Sequence, residues 1–313
     1  MTNRDRVIVA IALCLTASAP GAEAQGNGRG NAYGKRNQGA SGGAAAGAAA
    51  ASAPSGSSPT TETVQGAPAG VGVRNFGAWL DDASVMAPGS GSLTLSVAYW
   101  RTPAYREFDV PVVDGGLGLS RRVQFGFSVP YYHANEPGGP IARGVGDLYF
   151  TTKIQLREPS STHERLGFSV TPLLEVLSVA PGPDRSRVNW ALPANVEWQG
   201  DGWRTYGSAG YFSRGAVFGS GALEIALSDS AWFTGSISQS YSLEHDELST
   251  TLGLARLRID VSGGAGLSLS PNLAIFGVVG RTMSKQDVNS ATFFFTTGVS
   301  VSFDARPPAT PRR

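Results

Sequence analysis

Residues 123–132 read VQFGFSVPYY, and residues 147–156 read DLYFTTKIQL. In the first stretch Phe125, Phe127 and Val129 share one parity, and polar or small residues take the other. A period of two residues is typical of a β-strand with one apolar and one polar face. The two stretches therefore predict strands of a sheet whose faces meet different media.

The same alternation recurs from about Leu93 to Phe303. The strands are long for a soluble sheet but suit a tilted crossing of a bilayer. Tryptophan and tyrosine stand near their ends, where amphipathic rings sit at the lipid headgroups. A secreted sandwich also alternates, so these two features favour a transmembrane barrel. Further apolar rows are Leu93, Leu95, Val97 and Tyr99; Val188, Trp190, Leu192, Ala194, Val196 and Trp198; and Phe293, Phe295, Val299, Val301 and Phe303.

Short and long connections alternate between the predicted strands. With both ends in the periplasm, this alternation predicts an all-β, antiparallel, up-and-down barrel of about twelve strands. Residues 248–270 are interpreted as one long strand with part of the preceding loop, whereas a hairpin around Leu257 would break the even count. The short turns are 121–122, 200–202, 229–230 and 270–272, and the longer loops lie near 102–109, 133–143, 180–187, 244–250 and 284–290.

Residues 1–24 have the pattern of a cleavable secretory signal peptide. Arg4 and Arg6 precede an apolar core over 7–17, and Ala22-Glu23-Ala24 forms a small-x-small cleavage site. The apolar core is too short to span the hydrocarbon of a bilayer. We therefore expect export and a mature chain that begins at Gln25.

Residues 25–88 form a leader rich in Gly, Ala, Ser and Pro. Such a composition buries too little apolar surface to offset the entropy of ordering, which predicts a flexible, disordered segment in the periplasm. The alternative is a segment that touches peptidoglycan or folds back into the barrel lumen. The barrel is expected over 89–304, followed by a Pro- and Arg-containing tail over 305–313.

Composition excludes several classes of function. The formal net charge is +1 and 16% of residues are charged, so the clustered basic excess that nucleic-acid binding requires is absent from the sequence. The single cysteine, Cys14, lies in the predicted signal peptide. A mature chain without cysteine has no disulfides, thiolate metal sites or cysteine nucleophiles.

The sequence motifs of hydrolases and metalloenzymes are missing. His133, His163 and His245 fall in separate predicted connections, and no Gly-x-Ser-x-Gly or His-Glu-x-x-His pattern occurs. We therefore expect no enzymatic activity, no catalytic residue, no metal and no cofactor. A barrel enzyme that acts on lipid is the remaining alternative, because catalytic groups can come from separate strands.

Charged residues of inward parity are the candidates for the pore wall. A wet lumen tolerates charge, and the mixture of signs predicts transverse fields and paired charges rather than a ring selective for one ion sign. The lumen-lining candidates are Asp114, Asp147, Lys153, Arg165, Glu175, Glu197, Arg204 and Glu224.

Residues 125–132 and 144–153 carry a family resemblance. The first stretch ends in a proline–aromatic pair, and Gly-x-Gly-Asp opens the second. The pair resembles the outer-membrane family labelled "MetA-pathway of phenol degradation" or "transporter". This resemblance implies a barrel that carries hydrophobic or aromatic small molecules, with Asp147 and Lys153 in its pore wall. The motif residues are Pro130, Tyr131, Gly144, Gly146 and Asp147.

Together these observations predict an outer-membrane channel or facilitator for passive transport of small hydrophobic or aromatic compounds. The alternative is a structural or adhesive barrel with a closed lumen and partner-binding external loops. We expect the partners to be the lipid bilayer, a small hydrophobic or aromatic solute and, during biogenesis, the barrel-assembly machinery.

Overall fold

The structure, a computed structural model, describes residues 80–103, 106–135, 141–159, 165–177, 188–213, 215–243, 254–287 and 290–304. Fourteen strands follow one another along these residues, and no helix among them has the length and hydropathy of a membrane span. The strands are β1 (Ser90–Arg101), β2 (Arg106–Gly118), β3 (Val123–Asn135), β4 (Ile141–Val145), β5 (Leu148–Arg157), β6 (Leu166–Val170), β7 (Leu173–Val176), β8 (Val188–Gln199), β9 (Trp203–Phe212), β10 (Ala216–Ala226), β11 (Ala231–Ser242), β12 (Leu257–Ser270), β13 (Leu273–Thr282) and β14 (Phe293–Asp304).

The sheet closes on itself because β1 pairs with β14 along its whole length. Every pairing is antiparallel, and β4 and β5 both pair with β3, so they form one interrupted strand. β6 and β7, separated by 171–172, form a second interrupted strand against β8. The result is the predicted closed antiparallel barrel of 12 strands.

At the interruption between β4 and β5, Gly146 of the Gly-x-Gly-Asp motif contacts Pro130 of β3. The amide of Gly146 donates to the carbonyl of Pro130 at 2.9 Å. A Cβ at position 146 would lie 2.8 Å from the Cγ of Pro130, so only glycine permits this approach. Pro130 lies beside a register shift between β2 and β3. Proline has no backbone N–H to donate to a neighbouring strand, and this loss is tolerated at such an irregularity.

The two ends of the barrel differ in their connections. The short-turn end carries Ser90 and Asp304 and the turns at 119–122, 200–202, 227–230 and 271–272; the loop end is opposite. The four tight turns and the single long strand β12 agree with the sequence interpretation.

Several connections differ from the sequence prediction. β2 already begins at Arg106, and β3 includes His133, so these residues lie in strands rather than loops. The β9–β10 connection at the loop end is short, over 213–215, and the β5–β6 connection at the short-turn end takes residues 158–165. His163 and His245 lie outside the described residues.

Side chains alternate between the two faces of the wall as the period of two predicts. Leu95 is 52% exposed and Leu156 58%, on the outer face, whereas Lys153 is 2% exposed on the inner face. An apolar exterior around a polar interior inverts the arrangement of a soluble sheet protein. This inversion makes the outer face suitable for hydrocarbon and leaves the lumen for polar groups.

Arginine placed on the two faces of β5 is expected to have opposite effects. In a bilayer, Phe150→Arg puts a charge on the outer face near mid-strand, at a cost of about 2–4 kcal/mol, whereas Thr151→Arg points into the polar lumen. We expect Phe150→Arg to reduce the folded, heat-modifiable band on gels of the membrane fraction and Thr151→Arg to preserve it. Equal damage at both positions would contradict the assignment of the faces.

Candidate functional site

Residues 80–87, here called the lumen segment, lie inside the barrel. The segment joins β1 at the short-turn end, where the amide of Ser90 donates to the carbonyl of Ala87 at 2.9 Å. Its side chains are almost fully enclosed: Asp81 is 2% exposed and Asp82 is 1% exposed. The last residues of the Gly- and Ala-rich leader thus occupy the lumen, as the alternative interpretation of the leader allowed.

Lys153 holds the lumen segment from the wall of β5. Its Nζ donates to Asp81 Oδ1 at 2.6 Å, to Asp82 Oδ1 at 3.0 Å and to the carbonyl oxygen of Ser84 at 3.0 Å. An ammonium group has three donors. All three N–H donors of Lys153 therefore bond to the lumen segment.

Arg204, near the short-turn end of β9, binds the same segment. Its Nη1 donates to Asp82 Oδ2 at 2.8 Å, while Nε and Nη2 bond the two carboxylate oxygens of Glu224 at 2.8 and 3.0 Å. The guanidinium also lies 4.9 Å from the ring centroid of Tyr206. Each guanidinium nitrogen of Arg204 thus has a carboxylate partner in the lumen.

Glu197 and two glutamines meet the polar groups of the segment that the cations do not reach. Glu197 Oε2 accepts from the amide of Ala83 at 3.1 Å and from Ser84 Oγ at 2.8 Å. Gln155 donates to the carbonyl of Ala83 at 3.0 Å, and Gln124 accepts from the amide of Met86 at 2.8 Å. An irregular buried segment needs such partners, because its backbone has no ladder or helix to satisfy it.

Two apolar clusters lie inside the loop half of the barrel. The first contains Tyr149, Leu173, Ala191, Phe212, Ala216 and Phe218, and the second contains Trp100, Phe276, Val278, Ala291 and Phe294. Trp100 stacks on Phe294 with ring centroids 5.2 Å apart and an interplanar angle of 14°. The lumen therefore has aromatic walls in its loop half and a polar, charged closure in its short-turn half.

The structure places the eight lumen-lining candidates in different surroundings. Lys153, Glu197, Arg204 and Glu224 converge on or beside the lumen segment. Glu175 accepts from Tyr149 Oη and from Asn189 Nδ2, both at 2.9 Å, beside the first apolar cluster. Asp114 and Asp147 are buried, at 1% and 2% exposure, and Asp114 pairs in register with Ser128.

Arg165 is the exception among the candidates, because it does not face the lumen. It precedes β6 at the rim of the short-turn end, where its 41% exposed side chain pairs with Asp201 at 3.2 Å. Parity tells which face a side chain occupies only within a strand, and Arg165 lies one residue before β6 begins. Counting parity past the end of the strand caused this error.

The family-motif residues are structural neighbours rather than one site. Pro130 and Gly146 make the close contact described above, and a Cβ on Gly144 would lie 3.6 Å from the ring of Tyr132. Tyr131 faces outward, 36% exposed, with its ring 5.2 Å from that of His133. Asp147 is buried at 2% exposure, and Pro130 is also buried, on the inward parity of β3.

Sequence reasoning missed Asp81 and Asp82 as site residues. They form the only adjacent pair of acidic residues in the predicted leader, and that pair was the available signal. Within the described ranges, no group of three or more His, Cys, Asp or Glu residues could hold a metal ion. The site is therefore a network of ion pairs that fastens a strand-less segment to the wall.

Comparison with known proteins supports the barrel fold. No protein-family model matches the chain, and no curated protein matches its sequence. Among solved structures, an outer-membrane channel described as COG4313, from Pseudomonas putida F1, aligns with a TM-score of 0.53 at 12% identity over 71% of this chain and 98% of that one. The NanC porin aligns with a TM-score of 0.48 at 8% identity, over 67% of this chain and 98% of its own. At 12% identity the likeness to the COG4313 channel shows the fold alone.

Neutralising the two aspartates of the segment is expected to loosen it from the wall. Removing one partner of a buried ion pair costs about 3–5 kcal/mol, so Asp81→Asn with Asp82→Asn should shift the segment out of the lumen. We expect higher single-channel conductance in planar bilayers and unchanged heat-modifiable migration. Asp201→Asn, which removes an exposed carboxylate at the rim, is the matched control. A double variant with parental conductance would show that these ion pairs do not hold the segment.

Proposed function

We propose that the chain is an outer-membrane channel for passive movement of small hydrophobic or aromatic compounds. The observation that carries this proposal is the pair of apolar clusters inside the loop half of the lumen. Aromatic side chains that line a cavity bind apolar solutes through burial of ring surface.

The membrane context follows from the outer face and the fold. Exposed apolar side chains surround a closed barrel, and closed barrels are the form in which strands span bilayers. Barrels of this kind turn their short connections to the periplasm. We therefore place the loop end outside the cell and the lumen segment at the periplasmic exit.

The lumen segment makes the proposed channel a restricted one. A solute that enters from the loop end meets the aromatic walls first and the ion-paired segment last. Passage to the periplasm then requires the segment to move. Thermal opening suffices for passive transport, so the rate depends on how firmly Lys153 and Arg204 hold Asp81 and Asp82.

The finer assignment rests on the resemblance of residues 125–132 and 144–153 to the MetA-pathway transporter family. That family resemblance implies hydrophobic or aromatic cargo. The solved channel from Pseudomonas putida F1, with a TM-score of 0.53, supports a channel architecture of this size.

A structural or adhesive barrel is the second candidate function. The observation that favours it is the lumen segment itself, because its buried ion pairs fill the short-turn half. A permanently closed lumen would leave the external loops as the working surface. The two candidates differ in whether the segment moves during function.

A reversible disulfide between the segment and the wall tests this difference. An ideal Cβ at Gly167 would lie 3.1 Å from the Cβ of Ala83, near the Cβ spacing of about 3.5–4.5 Å in disulfides. The same Cβ would meet Pro159 Cδ at 2.7 Å, so the pair is built with Pro159→Ala. Cys14 is the only natural cysteine, in the predicted signal peptide.

The readout is uptake of 1-N-phenylnaphthylamine, a neutral aromatic probe that intact outer membranes exclude, by cells that express the full chain. We expect the oxidised Ala83→Cys/Gly167→Cys/Pro159→Ala variant to lose most of the uptake and to recover it on reduction. Pro159→Ala alone and Ala83→Cys alone are the controls. Uptake equal to that of cells without the chain, whether reduced or oxidised, would instead support the closed barrel.

Location provides an independent prediction. The signal pattern over residues 1–24 and the apolar outer face predict that the mature chain begins at Gln25 and fractionates with the outer membrane after assembly by the barrel-assembly machinery. N-terminal sequencing of the membrane fraction checks both points. Recovery as a soluble periplasmic protein would contradict the membrane assignment.

A further inference from the structure

Arg258 lies inside the loop end of the barrel, at the start of β12, away from the lumen segment. Its side chain is 9% exposed, and its Nε lies 2.8 Å from Asp260 Oδ2. Asp260 also accepts from Thr282 Oγ1 at 2.5 Å, and that hydroxyl accepts from the amide of Ala291 at 2.8 Å. Asp260 is thus anchored to the wall and fixes the Nε edge of the guanidinium.

The other edge of Arg258 has no hydrogen-bond partner within the described residues. Among the described residues, neither Nη1 nor Nη2 has a hydrogen-bond acceptor, although both atoms are buried. The same holds for the indole Nε1 of Trp100, whose ring centroid lies 5.2 Å from Arg258 Cζ. Three N–H-bearing atoms of two neighbouring side chains therefore lack an acceptor in the same part of the lumen.

Arg204, the buried arginine at the other end of the lumen, can be compared with Arg258 in its hydrogen bonding. Its side chain is also buried, 3% exposed against 9% for Arg258, and its three guanidinium nitrogens bond carboxylates of Asp82 and Glu224. That is the expected arrangement for a structural arginine, because a buried guanidinium is costly unless its donors are met. Arg258 has only its Nε edge met, so its Nη edge is available to a ligand.

The neighbouring carboxylates are already engaged. Asp260 bonds Nε and Thr282, and Asp287 accepts from Ser290 Oγ and from the amide of Ala255. Glu107, opposite Trp100 on β2, makes interactions of its own. Among the described residues, none of these carboxylates accepts a hydrogen bond from the Nη edge of Arg258.

We propose that Arg258 and Trp100 form a binding subsite for the carboxylate of a small organic acid with an apolar body. The two Nη atoms form a planar fork that matches the two oxygens of a carboxylate, and the indole Nε1 adds a third donor. Phe294, Phe276 and Val278 of the same cluster supply apolar wall for the rest of the solute. The inference rests on the proposed channel function and adds a negative charge to the solute class.

Phe294 is held in place by the backbone opposite it. A Cβ at Gly280, its partner in register on β13, would clash with the ring of Phe294, so this glycine makes room for the aromatic side chain. The ring in turn stacks on Trp100, which lies beside the guanidinium. The subsite is therefore built on strands, which position side chains more rigidly than loops do.

Calorimetric titration of the purified full chain with benzoate, and with benzamide as the neutral isostere, tests the proposal. We expect the affinity for benzoate to exceed the affinity for benzamide by at least about tenfold, because the amide lacks the charge that the fork recognises. Arg258→Gln should remove the preference for benzoate. Arg258→Lys should keep part of it, since an ammonium retains the charge but not the fork.

Two further variants separate recognition from structure. Trp100→Phe keeps the ring and removes the indole N–H, so we expect benzoate affinity to fall and benzamide affinity to stay. Arg281→Gln, an exposed arginine near the same end of β13, is the matched control and should bind as the parent does. If Arg258→Gln alone fails to fold, Arg258→Gln with Asp260→Asn removes both partners and keeps the test available.

The outcomes distinguish the subsite from the channel. A parent that binds benzoate and benzamide equally, or an Arg258→Gln variant with parental benzoate affinity, would overturn the subsite, even where probe uptake shows a working channel. Charge-dependent binding without any probe uptake would instead leave the subsite standing and reject the channel.

Discussion

Hydrocarbon contains no water, so every backbone N–H and C=O that crosses it must be satisfied within the protein. In this chain the pairing of β1 with β14 meets that requirement, because it removes the two free edges that an open sheet would expose. Closure then dictates the distribution of side chains. Apolar rows face outward to lipid, and polar and charged residues can lie only in the lumen.

A closed lumen concentrates charges in a small space, and their cost must be offset there. Lys153 and Arg204 on the wall lie beside the carboxylates Glu197 and Glu224, and the lumen segment adds Asp81 and Asp82. Breaking one pair leaves a buried charge uncompensated, which costs several kcal/mol. The segment is therefore fixed by ion pairs and hydrogen bonds, and also by apolar packing of Leu80 against Tyr206 and Ala222.

The period of two predicts the inward position of Lys153, whereas the barrel and its count of about twelve strands also needed strand length, aromatic strand ends and the alternation of short and long connections. The period of two could not identify the partner of Lys153, since Asp81 lies 72 positions away in a segment with no periodicity. Parity also fails outside strands, as Arg165 shows. Neither a turn nor a loop was predicted from the sequence between β9 and β10, where Gly215, with φ of 74°, lies in a short connection.

The two halves of the lumen use arginine in opposite ways, and in the proposed channel this difference would order the steps of transport. At the exit, Arg204 is saturated by carboxylates, so a passing solute offers it no new interaction and can only compete for it. At the entrance, Arg258 has an unused edge beside aromatic rings, so occupancy there costs no existing ion pair. A solute bound at Arg258 shifts the position of the lumen segment only if it interacts differently with the two positions of that segment. In the proposed channel, selection of the solute and opening of the exit would therefore be separate events, the first set by the loop half and the second by the strength of the pairs around Asp81 and Asp82.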